Sequence, residues 1–145
     1  MCIEIIEIIV SSLTSVLLFV LAFYKDSFVS DKEVLRERLD NLYVPFYQKQ
    51  IILKLGMKIS DFSNESICII SELLANNIHY MNKETQILYI NFYKLQLDFI
   101  DARNNLNDLT KISKDLNNSF DKLNNNLIKE YKYICHKLKL PTPAL

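Results

Sequence analysis

The sequence predicts an all-α protein, in which an N-terminal transmembrane helix precedes an antiparallel helical bundle with a long, coiled-coil-like C-terminal helix. Three observations indicate this class: an uncharged apolar run near the N-terminus, apolar residues at helical spacing along the remainder, and the scarcity of helix breakers. Glycine occurs once and proline three times in 145 residues, and no segment alternates like a strand between turn residues. We therefore expect an anchor at 1–27, a helical body at 28–140 and an extended tail at 141–145.

The predicted anchor is the stretch 8–24, which has seventeen residues and no charged side chain. As a helix it covers about 26 Å, at the short end of what a hydrocarbon core of about 30 Å requires. We interpret it as a membrane span, and the alternative left open is a buried helix of a wholly soluble bundle. Positions along the span are marked by Ile8, Leu13, Leu17, Leu21 and Tyr24.

The distribution of cations predicts how this span is oriented. No lysine or arginine precedes it, whereas Lys25, Lys32, Arg36 and Arg38 follow it closely. Because cytoplasmic flanks carry the excess of Lys and Arg, we expect a single-pass protein of the cell membrane with its N-terminus outside and its body cytoplasmic.

One face of the span carries small residues. Ser11, Ser15 and Ala22 lie on one side of the helix, and Ser11 and Ser15 form a small-xxx-small pair. Such pairs let two helices approach closely in lipid. This face therefore predicts association between spans, unless the serines are merely tolerated there.

The body begins with a helix predicted at 31–55, with Ser30 and Glu33 as a capping box. Pro45 interrupts it, because the proline ring clashes with the carbonyl group four residues earlier. We expect either a kink or two helices, with Gly56 as the stop signal. The residues that the kink would position are Tyr43, Phe46 and Tyr47.

The segment Leu42-Tyr43-Val44-Pro45-Phe46-Tyr47 resembles an L-Y-x-P-L/F-Y pattern of uncharacterised short bacterial and phage proteins that have one N-terminal transmembrane helix. The resemblance covers the anchor and about residues 33–50. It implies membrane anchorage and no particular activity.

A second helix is predicted at 64–81, and apolar residues then recur at spacings of three and four from residue 88 to residue 138. The stretch 83–139 is either one helix of about 85 Å or two helices that break near Asn104-Asn105, where asparagine disfavours the helix. We expect its C-terminal half to protrude and to bind a second copy or another protein. The seam residues of that half are Leu116, Phe120, Leu123, Leu127 and Ile134.

The composition argues against several chemistries. Charges balance at 17 against 17, so the chain lacks the basic field of a nucleic-acid binder. Three cysteines without a C-x-x-C spacing, two histidines and a lone glycine offer no metal, nucleophile or phosphate motif. We expect no enzyme activity, no cofactor, no metal, no nucleic acid and no small-molecule substrate.

The resulting hypothesis is a non-catalytic helical interaction module, anchored to the bacterial membrane, that acts by self-association or by recruiting a protein partner. The lipid bilayer is its first predicted partner. One alternative is a membrane-active phage-type protein, holin-like or an immunity factor, that acts through its span. The other is a wholly soluble helical bundle.

Overall fold

The computed structural model describes residues 2–52, 57–105 and 109–142, with the side chains of residues 14–22, 25 and 29 onward within those ranges. Five α-helices and no strand are present in these residues, which confirms the predicted all-α class. The helices are α1 (Cys2–Arg38), α2 (Val44–Ile52), α3 (Asn64–Asn76), α4 (Lys83–Asn104) and α5 (Thr110–Leu138), with a π-helical turn at Leu39–Tyr43 and 3₁₀ turns at Ile59–Asp61 and Ile78–Tyr80.

The chain divides into two compact units, which we call the N-terminal unit (Met1–Leu35) and the C-terminal unit (Arg36–Leu145). The predicted helix start at Ser30 is wrong, because α1 continues through it. Neither glycine nor proline occurs before Pro45, so nothing in the sequence ends the helix there.

Every described side chain between Thr14 and Ala22 is exposed in the N-terminal unit. Of the predicted span and its association face, Ser15, Leu17, Leu21 and Ala22 belong to this exposed stretch. Within the described residues, no helix contains a segment long and apolar enough to cross a membrane. The remaining predicted positions lie outside the residues whose side chains are described, namely Ile8, Ser11, Leu13 and Tyr24.

The predicted interruption at Pro45 falls next to the π-helical turn. The Val44 N–H donates to the carbonyl of Leu39, five residues earlier rather than four. A π turn accommodates one extra residue in a helix, and α2 then begins with Val44 and Pro45, a position where a missing N–H is tolerated. The predicted stop at Gly56 lies outside the described residues.

Helix α3 begins as predicted and ends early. Its first turn is capped by Ser63, whose hydroxyl oxygen accepts from the Ser66 N–H at 3.2 Å. The helix was expected to reach Met81, but it ends at Asn76. The Asn77 side chain donates to the Leu73 carbonyl at 2.9 Å, a local bond that competes with continued helix.

The long C-terminal pattern forms two helices that pack antiparallel. Phe92 on α4 meets Phe120 on α5 with ring centroids 5.4 Å apart, and Thr85 near the start of α4 contacts Glu130 near the end of α5. Helix α5 ends at Leu138. The next residue, Lys139, has a left-handed φ of 57°, and the Leu140 N–H donates to the Cys135 carbonyl, so the two form a Schellman cap.

The predicted partner seam lies in the core of the C-terminal unit. Leu116, Leu123, Leu127 and Ile134 are 0% exposed, and Phe120 is half-buried against α4. The expectation of a protruding partner surface is therefore wrong: because the chain breaks after Asn104, α5 folds back and its apolar stripe is covered within the chain.

Candidate functional site

Glu130 is the centre of a buried polar cluster in the C-terminal unit. Its carboxylate accepts from the Arg38 guanidinium at 3.0 Å and from the Asn82 backbone N–H at 3.1 Å. It also accepts from the hydroxyl groups of Tyr43 and Thr85. Glu130 is 8% exposed, so these four donors replace the water that a carboxylate otherwise requires. We call these five residues the Glu130 cluster.

Arg38, the last residue of α1, makes the cationic half of the cluster. Its Nε donates to the Tyr80 carbonyl at 2.7 Å, and its Nη2 donates to the Asn82 side-chain oxygen at 3.1 Å. Asn82 occupies the N-cap of α4 without forming a side-chain cap, because its side chain accepts from Arg38 instead. Arg38 therefore ties the end of α1 to the turn before α4 and to α5.

The predicted kink residues surround this cluster. Tyr43 and Phe46 are fully buried, Tyr47 is nearly so, and Pro45 is half-buried. Tyr43 and Tyr47 stack on Tyr131 of α5, with centroids 6.1 and 5.0 Å away. The structure thus brings Tyr43, Phe46 and Tyr47 into the core, where they pack rather than form an exposed surface.

Both buried tyrosines remain neutral near neutral pH. Burial raises the pKa of Tyr43, and the hydrogen bond to the Glu130 carboxylate raises it further, while Arg38 acts in the opposite sense. Burial also raises the pKa of Tyr47, whose hydroxyl has no hydrogen-bond partner among the described residues. The Glu130 cluster therefore contains an ion pair and one neutral phenol, that of Tyr43, and the neutral phenol of Tyr47 lies beside it.

The sequence analysis missed Arg38 and Glu130 as a pair. The sequence indicates Arg38 only as a cation flanking the span, and it assigns no role to Glu130. One signal for Glu130 exists: it follows Leu127 by three residues and precedes Ile134 by four, so it occupies a core position of α5. A carboxylate at such a position requires a buried partner.

A second feature of the C-terminal unit is a groove of about 880 Å³ between the segment 57–62, α4 and α5. Phe62, Phe99 and Phe120 contribute apolar walls. Arg103 donates to the carbonyls of Ser60 at 2.7 Å and Phe62 at 2.8 Å. The Arg103 guanidinium thus holds the 57–62 segment against α4, and these donors are used within the protein.

Among the described residues, no group of three His, Cys, Asp or Glu side chains is placed to hold a metal ion. Cys135 is buried, which raises the pKa of its thiol, whereas Cys68 is exposed.

Comparison of the chain with protein-family models, curated protein sequences and solved structures gave no match. The similarity of residues 42–47 to the L-Y-x-P-L/F-Y pattern stays a prediction from the sequence.

Proposed function

We propose that this protein is a membrane-anchored, non-catalytic helical module that acts by self-association or partner recruitment at a bacterial membrane. The observation that supports this best is a run of six consecutive large apolar side chains on α1. They are exposed by 42 to 73% and comprise Val16, Leu17, Leu18, Phe19, Val20 and Leu21.

A run of six covers every side of the helix, because successive residues are rotated by about 100°. A surface helix of a globular protein places its apolar residues on one stripe, whereas a helix that is apolar all round is buried or spans a membrane. Leaving a Leu or Phe side chain in water costs about 1.5–3 kcal/mol relative to burial. A lipid environment removes that cost for all six at once.

The sequence extends this apolar run to residues 8–24, and the four cations that follow favour a cytoplasmic C-terminal unit. The non-catalytic part of the proposal is supported by the Glu130 cluster. There the buried ionisable groups bind one another, and within the C-terminal unit they connect Arg38 and Tyr43 to α4 and α5. These ionisable groups therefore have a structural role, as expected for a protein that acts by binding a partner.

Membrane fractionation of the full chain tests the anchor, with Leu17→Arg as the disrupting variant. The unchanged protein should sediment with membranes and resist carbonate extraction. An arginine at the centre of a span costs about 2.5–3.5 kcal/mol of insertion free energy, so Leu17→Arg should shift much of the protein to the carbonate supernatant.

The matched control is Ile52→Arg, since Ile52 is 72% exposed at the end of α2, outside the proposed span. This variant should fractionate like the unchanged protein. Full recovery of the unchanged protein in the soluble fraction would contradict the anchor.

A further inference from the structure

Helix α4 has an exposed apolar stripe that nothing in the described chain covers. Ile87, Ile90, Tyr93 and Leu97 are exposed by 42 to 53%. Their spacing of three, three and four residues places them on one side of the helix, while Phe92 and Phe99 are buried on the other. We call these four residues the α4 stripe.

Two exposed charges of opposite sign bound this stripe. Lys83 is the first residue of α4, and Asp101 lies in its last turn. They are eighteen positions apart, which makes about five turns, so both side chains lie on the same line of the helix about 27 Å apart. The α4 stripe therefore has a cation at one end and an anion at the other.

Each of these charges is unfavourable for the helix that carries it. The N-terminus of a helix favours anions and its C-terminus favours cations, by about 0.3–1 kcal/mol for an exposed side chain. Lys83 and Asp101 have the reverse signs. Asp101 also accepts from the Asn105 side chain at 3.0 Å through one oxygen, which leaves the second oxygen for another donor.

We infer that the α4 stripe binds the α4 stripe of a second copy of this chain, with the two helices antiparallel. The midpoint between Lys83 and Asp101 is residue 92, and a two-fold axis there places Lys83 of each copy opposite Asp101 of the other. The same register places Ile87 opposite Leu97. A parallel arrangement would bring like charges together at both ends, which is unfavourable.

Lys94 lies near the centre of this contact and is exposed. The same register places it opposite Ile90, where its alkyl chain covers apolar surface while the ammonium group stays in water. The inferred dimer names a second copy as the partner of the proposed module. It rests on that proposal because two chains held in one bilayer meet at a raised effective concentration.

Charge reversal in the full chain tests the inference by sedimentation velocity in a non-ionic detergent. Lys83→Asp and Asp101→Lys each turn two attractive contacts of the symmetric dimer into two repulsive ones. Each single variant should raise the dimer dissociation constant about tenfold, equivalent to ~1.4 kcal/mol over the two contacts. The double variant restores opposite charges and should return the constant to within about threefold of the original.

Loss of folding does not explain such a result, because both substitutions improve the match between charge and helix dipole. Measured at a concentration where the unchanged chain is also monomeric, helical circular dichroism should be the same in all variants and the thermal midpoint should stay at or above that of the unchanged chain. Ile90→Asp should also weaken the dimer, whereas Tyr133→Asp, at an exposed position of α5, should not.

A chain that stays monomeric throughout overturns the inference. So does a dimer whose dissociation constant is the same in the single reversals, since association would then occur through another surface, such as the span. Failure of the anchor proposal is a distinct result, because carbonate would then extract the unchanged protein from membranes whether or not the chain dimerises.

Discussion

Tyr43 and Tyr47 lie one helical turn apart, stack on the same ring of Tyr131, and differ in what their hydroxyl groups do. The Tyr43 hydroxyl donates to Glu130, whereas the buried Tyr47 hydroxyl has no partner among the described residues. Removing a satisfied buried hydroxyl destabilises a protein, while removing an unsatisfied one relieves a desolvation cost of about 1–3 kcal/mol.

We therefore predict opposite effects of one chemical change at these two positions. Tyr43→Phe should lower the free energy of unfolding by about 1–3 kcal/mol, because Glu130 loses a donor. Tyr47→Phe should leave it unchanged or raise it. Denaturant titration of the full chain, followed by tyrosine fluorescence or near-ultraviolet circular dichroism, measures both.

The pH dependence gives an independent check on the same pair. Burial raises the pKa of the Tyr47 phenol in the folded protein, while the unfolded value is near 10. The folded state therefore resists ionisation of this phenol. The free energy of unfolding is unaffected by it below about pH 10 and falls as the pH rises from there toward the folded pKa. Tyr47→Phe should make the decline in stability above pH 10 shallower, and equal declines in both proteins would contradict the burial of this hydroxyl.

For the α4–α5 hairpin, the sequence pattern predicted which residues share a face but not what that face packs against. Spacing along residues 88–138 identified Leu116, Leu123, Leu127 and Ile134 as one stripe, and the structure confirms that they share a face. Periodicity does not show which surface covers a stripe. That depends on the end of α4 at Asn104, where Asn104 and Asn105 disfavour continued helix and α5 then packs back on α4.

The hairpin predicts that a charge in the seam disrupts the body. Leu127→Asp should unfold the C-terminal unit, because an aspartate at a fully buried position has no partner to offset its desolvation. Tyr133→Asp, at a site 57% exposed on the same helix, should change the free energy of unfolding by less than about 0.5 kcal/mol. Circular dichroism and proteolysis distinguish the two variants, and a folded Leu127→Asp protein would contradict the packing.

The Glu130 cluster escaped sequence analysis for a related reason. Its members come from positions 38, 43, 82, 85 and 130, and only the fold brings them together. The interruption near Pro45 could be predicted because proline lacks a backbone N–H and its ring clashes with the carbonyl four residues earlier, whatever the tertiary packing. The form that the irregularity takes, a π turn that sets Tyr43 toward Glu130, depends on tertiary packing.

On the scale of the whole molecule, the chain has an N-terminal unit with exposed apolar residues and a packed helical C-terminal unit. Composition and periodicity predicted the all-α class, since so few helix breakers occur in the chain. The continuity of α1 through Ser30 was not predicted, because an S-x-x-E pattern fits both a helix start and a helix interior. The proposed membrane location and orientation follow from charge and hydropathy along residues 1–38.

Cysteine labelling tests this location and orientation most directly. In a Cys2→Ser variant, the exposed Cys68 is the expected site of reaction, because Cys135 is buried and burial raises the pKa of its thiol. We predict that the protein in the carbonate-resistant membrane fraction is unlabelled by a membrane-impermeant maleimide in intact cells and becomes labelled after permeabilisation. Labelling in intact cells would contradict the proposed orientation, and recovery of the chain in the carbonate supernatant would contradict the anchor.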